Sequence, residues 1–170
     1  MKDFLEKISP YKLFNHLMPG IVFVFVLSRI SEHNFLQKDL LIGVFLYYFI
    51  GLIISRIGSI VIEPLLKKLK FLNFTKYSDF VIYSKKDDKI EVLSETNNMY
   101  RTIIALIFSI FLVLIFDWLV VETEMNATWD SIIILTFLLS IFLFSYKKQT
   151  SYISKRINAH KENDSPQRDL

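Results

Sequence analysis

The chain has 170 residues, a net charge of +3, a hydrophobic fraction of 52% and a mean hydropathy of +0.38. Its apolar residues form long runs that alternate with charged segments, whereas each helix of a soluble bundle keeps one charged face. There is no cysteine, which excludes disulfides, thiolate metal sites and cysteine nucleophiles. The composition therefore predicts an integral membrane protein.

Four apolar segments have the length needed to cross a bilayer, because about 20 helical residues span a hydrocarbon core about 30 Å thick. Tyrosines and tryptophans at their ends fit the positions of interface anchors. Pro19–Gly20 predicts a kink or an interruption in the first segment. The sequence thus predicts an all-α fold, a four-helix transmembrane bundle forming one membrane domain over residues 1–170. The expected spans are residues 11–30, 40–62, 102–121 and 131–146.

Two charged segments are expected to lie outside the membrane, an insert over residues 63–101 and a tail over residues 147–170. Within the insert, residues 77–83 and 89–99 are predicted as short helices, with a hairpin turning at 86–88 as the alternative. Pro64 marks an expected bend at the end of the second span. The tail begins basic and ends in a polar composition typical of a frayed chain end.

The distribution of basic residues predicts the orientation. The amino terminus, the insert and the tail together hold 17 of the 20 lysines and arginines. Because cytoplasmic loops carry the excess of basic residues, this side is expected to be cytoplasmic. The prediction is a multi-pass protein of the bacterial inner membrane with both termini in the cytoplasm.

Arg56 and Glu63 are the charged residues of the second span and its cytoplasmic end. A charged group at membrane depth costs roughly 2.5–3.5 kcal/mol on insertion scales, which makes it a candidate for function. Arg56 could line a pore or bind a lipid headgroup. Alternatively, it snorkels to the nearby headgroups or pairs with Glu63.

Gly51, Ser55 and Ser59 place small side chains on one face of the same helix. This spacing lets helix backbones approach closely in lipid. It predicts an oligomer seam, with packing inside the same chain's bundle as the equal alternative.

Two further sets of charged residues have a predicted partner, an ion pair in one set and anionic lipid in the other. Arg29 and Asp117 lie at the outer ends of the first and third spans and could form an ion pair. Basic residues of the tail are expected to rest on anionic lipid, at about 1 kcal/mol per charge near the surface. These residues are Lys147, Lys148, Lys155 and Arg156.

The sequence contains none of the residue patterns that are typical of catalytic or cofactor sites. His16, His33 and His160 are far apart and have no metal-ligand spacing. No phosphate loop, carboxylate dyad or triad spacing occurs, so we expect no catalytic site, metal or cofactor. The expected partners are the lipid bilayer, further copies of the chain and a cytoplasmic protein, without direct nucleic-acid binding.

The residues 55–59, 63–68, 93–101 and 145–157 carry a pattern that resembles small four-span bacterial membrane proteins. This resemblance brings no activity with it. In architecture the chain is also similar to membrane components of anti-phage defence systems, such as the Kiwa membrane subunit and pore-forming effectors. That similarity implies a non-enzymatic membrane sensor or pore-forming effector that works with a cytoplasmic partner. The alternative is a housekeeping channel or transporter subunit.

Overall fold

A computed structural model describes residues 10–164, and over this range all the regular structure is helical. Helix α2 (Leu40–Ile57) continues through a π-helical turn, Gly58–Ile62, into the short helix α3 (Glu63–Lys68). Residues 1–9 and 165–170, which hold the predicted cytoplasmic termini, lie outside the described residues. The helices are α1 (Pro10–Ile30), α2 (Leu40–Ile57), α3 (Glu63–Lys68), α4 (Tyr77–Tyr83), α5 (Asp88–Glu122) and α6 (Ala127–Asp164).

Four helical segments are long and apolar enough to cross a membrane, which confirms the four-span prediction at this level. Helices α5 and α6 have 35 and 38 residues. At 1.5 Å per residue they are about 52 and 57 Å long, well beyond a hydrocarbon core of about 30 Å. Their charged portions, residues 88–101 and 147–164, therefore project past the apolar portions.

The bundle buries little of its apolar surface. The buried share of the most apolar window is 28% in the first and second candidate spans, 17% in the third and 6% in the fourth. Helix α6 packs on α4 and along α2, where the rings of Phe49 and Phe142 stack with centroids 6.1 Å apart. Exposed apolar side chains around the bundle fit a lipid environment, since apolar atoms facing hydrocarbon need no further cover.

Helices α1 and α2 form the closest pair because two glycines let their backbones touch. A Cβ added to Gly51 would lie 1.6 Å from the carbonyl oxygen of His16, and one added to Gly20 would lie 1.8 Å from that of Tyr47. Any side chain at either position would overlap the opposite backbone. Helix α1 is continuous through Pro19, without the interruption considered from the sequence.

The insert is helical, as the favoured interpretation predicted, and contains no hairpin. Helix α4 covers residues 77–83, and the second predicted helix is the beginning of α5, whose first turn is capped by the Asp87 side chain. Helix α4 packs on the projecting part of α6, with the Tyr77 and Tyr152 rings 5.8 Å apart. The tail was expected to fray, but α6 continues through it to Asp164.

Candidate functional site

Glu63 is the centre of a charge junction that joins three helices. Its side chain is 8% exposed. One of its three partners lies a helical turn further along α3, and the other two come from α5 and α6. Arg101 of α5 donates from Nη1 to Oε2 at 2.6 Å, and Lys67 of α3 donates to Oε1 at 2.8 Å. Lys148 of α6 donates to Oε1 at 3.4 Å. We call these four residues the Glu63 junction.

The π-helical turn explains how Lys148 is held. At its end the Glu63 amide donates to the Gly58 carbonyl, five residues earlier. The next bond in this register would run from residue 64 to the Ser59 carbonyl, but Pro64 has no N–H to donate. The Ser59 carbonyl instead accepts from Lys148 Nζ at 2.5 Å. The bend expected at Pro64 is thus a change of helix register that opens a carbonyl to a neighbouring helix.

The Glu63 junction lies where three apolar segments end together. Glu63 follows the apolar run of α2, Arg101 precedes that of α5, and Lys148 follows that of α6. Since the three side chains are in contact, the charged ends of these helices lie at one end of the bundle. This places the junction at the depth of a bilayer boundary, where long cationic side chains can keep their heads wet.

Arg56 lies beside the Glu63 junction rather than in it. It is half-buried and lines a small cavity of about 20 Å³ between α2 and α6, together with Ser145, Lys148, Gln149 and Tyr152. Within residues 10–164 Arg56 forms no ion pair, so the pairing with Glu63 considered from the sequence is not observed. The Ser145 hydroxyl, on the same cavity wall, is buried and has no hydrogen-bond partner among the described residues.

A larger cleft adjoins this cavity and shares the Lys148 and Tyr152 side chains with it. Its volume is about 200 Å³, and Glu63, Lys67 and Lys155 also line it. The walls of the cavity and cleft together carry four cationic side chains and a single carboxylate. The arrangement therefore has an excess of positive charge and of hydrogen-bond donors.

A neutral polar network ties α1 to the same end of the bundle. Thr102 donates to the Asn15 side-chain carbonyl at 2.9 Å, and the Asn15 amide donates to the Ser55 hydroxyl at 3.4 Å. All three residues are buried. Each buried polar group thus has a partner, which avoids the cost of an unpaired group in an apolar surrounding.

The small-residue face of α2 is occupied by other helices of the same chain. Gly51 packs on the backbone of α1, Ser55 bonds Asn15 there, and the Ser59 carbonyl bonds Lys148 of α6. Gly51, Ser55 and Ser59 thus make contacts within the chain's own bundle, as one of the two alternatives predicted. The oligomer seam stays a prediction.

Two predicted charge placements differ in the structure. Asp117 bonds His33 of the first connector at 2.8 Å, whereas Arg29 lies over the Phe25 ring with its guanidinium 5.4 Å from the centroid. The partner of Asp117 is thus His33 and not Arg29, which lies four residues earlier in the chain. Lys148 points into the Glu63 junction instead of facing lipid, while Lys147, Lys155 and Arg156 are exposed.

Sequence reasoning missed Arg101, Asn15 and Thr102 as site residues. The sequence did carry a signal for Arg101 and Lys148. Glu63 is a carboxylate at the end of one span, and cations at the same depth on the other spans are its expected partners. The hydrogen bonds of Asn15 required knowing which faces of α1, α2 and α5 meet.

Among the described residues, no group of three or more histidine, cysteine, aspartate or glutamate side chains could hold a metal ion. No family model matches the chain, and neither the curated proteins nor the solved structures contain a match to it. The resemblance to membrane components of defence systems therefore stays a prediction, and function is argued from the geometry.

Proposed function

We propose that the protein is a non-enzymatic membrane sensor of the bacterial inner membrane that passes a change at the bilayer boundary to a cytoplasmic partner. The observation that carries this proposal is the Glu63 junction, which joins the second, third and fourth spans at the point where they leave the apolar layer.

The Glu63 junction is suited to coupling because one carboxylate is shared among cations from α3, α5 and α6. A shift of one span relative to the others lengthens at least one of these bonds. Charge-assisted bonds contribute roughly 1.5–3 kcal/mol where they are shielded from solvent and less at an exposed partner such as Lys67. Such a shift therefore exchanges one set of contacts for another. The π-helical turn next to Glu63 adds a second adjustable element, since π turns within α-helices recur at functional sites.

The proposed output is the projecting layer, which we define as α4 with residues 88–101 of α5 and 147–164 of α6. Its large apolar side chains lie beyond the apolar runs, and several remain exposed in this chain, which supports docking of a protein partner. The exposed residues are Tyr83, Val92, Leu93, Ile153 and Ile157. The sequence assigns this layer to the cytoplasm through its basic residues.

The test is a distance measurement in a bilayer. Because the chain has no cysteine, Tyr83→Cys and Ile157→Cys introduce a single pair of spin labels, one on α4 and one on α6. We expect the label–label distance to change between liposomes of short-chain and long-chain phosphatidylcholine, and Glu63→Gln to abolish the change. Distances that are the same in every bilayer would overturn the sensor function.

A pore-forming effector is the second candidate, and the weak attachment of α6 favours it. Only 6% of its most apolar window is buried within the chain, which leaves a face that further copies could cover in a homo-oligomer. Dye release from liposomes separates the two candidates. Leakage that grows with the protein-to-lipid ratio supports the pore, and sealed liposomes support the sensor.

We place this activity in anti-phage defence on the architectural similarity alone. The corresponding test compares plaque formation on cells that carry the intact chain and on cells that carry Glu63→Gln at equal membrane abundance. Protection only by the intact chain supports this placement, and equal plaque counts reject it.

A further inference from the structure

We infer that the cavity and cleft between α2, α3 and α6 form a binding site for a phosphate group, with Arg56 as its innermost ligand. This inference deepens the proposed function by naming the ligand class that the sensor reads, and it rests on that function only for its biological role.

Arg56 has unused donor capacity. A guanidinium has five N–H donors, yet Arg56 has no ion pair among residues 10–164. The carboxylate that lines the neighbouring cleft, Glu63, is already shared by three other cations. The Ser145 hydroxyl, on the same cavity wall as Arg56, is buried without a partner among the described residues. An acceptor-rich ligand beside the cavity would satisfy both groups.

The walls of the two neighbouring spaces carry an excess of positive charge. They are lined by four cationic side chains, Arg56, Lys67, Lys148 and Lys155, and by one carboxylate, Glu63. A bound anion would balance this excess. Phosphate fits better than carboxylate, because its several oxygens can accept a bidentate arginine and two or three lysines together.

The two spaces differ in size. The cavity beside Arg56, of about 20 Å³, has room for about one water, whereas the cleft of about 200 Å³ has room for a phosphate group, taking about 10–15 Å³ for each water on the same measure. The phosphate group would therefore lie in the cleft, and the Arg56 guanidinium would reach it from the neighbouring cavity. The walls of the cleft lie at the ends of the apolar runs, the depth at which lipid phosphates are found. Both a lipid headgroup and a soluble phosphate present the required chemistry, so the experiment must distinguish these sources.

The experiment is native mass spectrometry of the purified full chain in detergent, titrated with phosphatidylglycerol, the phosphate-free lipid diacylglycerol or inorganic phosphate. We expect phosphatidylglycerol to be retained at least tenfold more tightly than diacylglycerol. Displacement by millimolar inorganic phosphate would identify the phosphate group itself as the ligand, whereas retention would identify the lipid headgroup. Equal binding of both lipids together with no binding of inorganic phosphate overturns the site.

Variants then assign the ligand to these residues. Arg56→Lys should weaken binding about tenfold, because lysine keeps the charge but cannot form the bidentate contact. Lys155→Gln should weaken it less, and Lys85→Gln, at an exposed position outside both spaces, should leave it unchanged. Ser145→Ala, which removes only a hydroxyl, gives a second measurement in case the arginine variant fails to fold. Unchanged binding in Arg56→Lys and Ser145→Ala, or an equal loss in Lys85→Gln, overturns the assignment.

Binding and sensing fail separately. Selective binding without a Glu63-dependent distance change would refute the sensor and leave the site in place. A distance change with unselective binding would do the reverse.

Discussion

Glu63 illustrates how a single buried carboxylate can organise the end of a membrane bundle. Its partners Arg101 and Lys148 lie 38 and 85 residues away in the sequence, yet both reach the same side chain. When one of the three cations is lost, the Glu63 carboxylate keeps its two other partners. Removing the carboxylate, in contrast, leaves all three cations without a counter-charge.

This asymmetry gives the first prediction. Glu63→Gln should lower the free energy of unfolding by roughly 1.5–3 kcal/mol, the range for charge-assisted hydrogen bonds. Lys67→Gln should cost roughly 0.5 kcal/mol or less, because the Lys67 side chain is 42% exposed and pairs at i,i+4 spacing. Equilibrium unfolding in mixed detergent micelles measures both.

The matched control for the loss of a carboxylate is Glu91→Gln, an exposed position on the projecting part of α5. Its effect should stay within roughly 0.5 kcal/mol. A Glu63→Gln variant as stable as this control would show that the ion pairs contribute nothing net.

At the scale of helices, the π-helical turn connects Pro64 with Lys148. The Ser59 carbonyl can accept from Lys148 because residue 64, a proline, has no N–H to donate to it. Pro64→Ala restores that donor and lets the backbone compete for the same carbonyl.

A double-mutant cycle tests this connection. Lys148→Met should cost roughly 0.5–1.5 kcal/mol less in the Pro64→Ala background than in the native chain, the usual value of one hydrogen bond. Lys147→Met, at an exposed neighbouring position, should show no coupling to Pro64→Ala. Strictly additive effects of Pro64→Ala and Lys148→Met would disprove the proposed role of the π-helical turn.

The α1–α2 contact gives a second prediction at this scale. Gly51→Ala should lower the free energy of unfolding by roughly 1–3 kcal/mol or more, because the new methyl carbon would lie 1.6 Å from the His16 carbonyl oxygen, far inside van der Waals contact. Gly43→Ala is the control on the same helix. Its methyl group would meet the Tyr47 ring at 3.3 Å and the Gln37 Cβ at 3.5 Å, and the gain in helix propensity, about 0.8–1 kcal/mol, should leave the variant as stable as the native chain or more so. Equal stability of the Gly51 and Gly43 variants would contradict the close backbone approach.

The sequence predicted the four spans and the helices of the insert well, because hydropathy and helical periodicity act locally. It did not predict partners across helices. The Arg29–Asp117 pair was predicted from the matching depths of the two residues in the membrane. Depth does not determine which way each helix is rotated, and His33 is the residue that reaches Asp117. Likewise, Gly51, Ser55 and Ser59 mark a packing face in any sequence, but only the arrangement of α1 and α6 determines which helix covers it.

At the scale of the whole molecule, the protein is a thin bundle with one charged end. Helices α5 and α6 are about 22 and 27 Å longer than a hydrocarbon core of about 30 Å, and both excesses point to the same end of the bundle. Helix α4 packs on the projecting part of α6. In the proposed function, ligand recognition takes place at the boundary and partner docking beyond it.

The central claim is that the chain crosses the membrane four times with its projecting layer on the cytoplasmic side. Single cysteines in this cysteine-free chain test it directly when intact spheroplasts are treated with a membrane-impermeant maleimide. We expect Lys38→Cys and Thr123→Cys, in the two short connectors, to react, and Lys85→Cys and Ser154→Cys, in the insert and on α6, to react only after lysis. Labelling of Lys85→Cys and Ser154→Cys from opposite sides, or of either one in intact spheroplasts, would contradict this account.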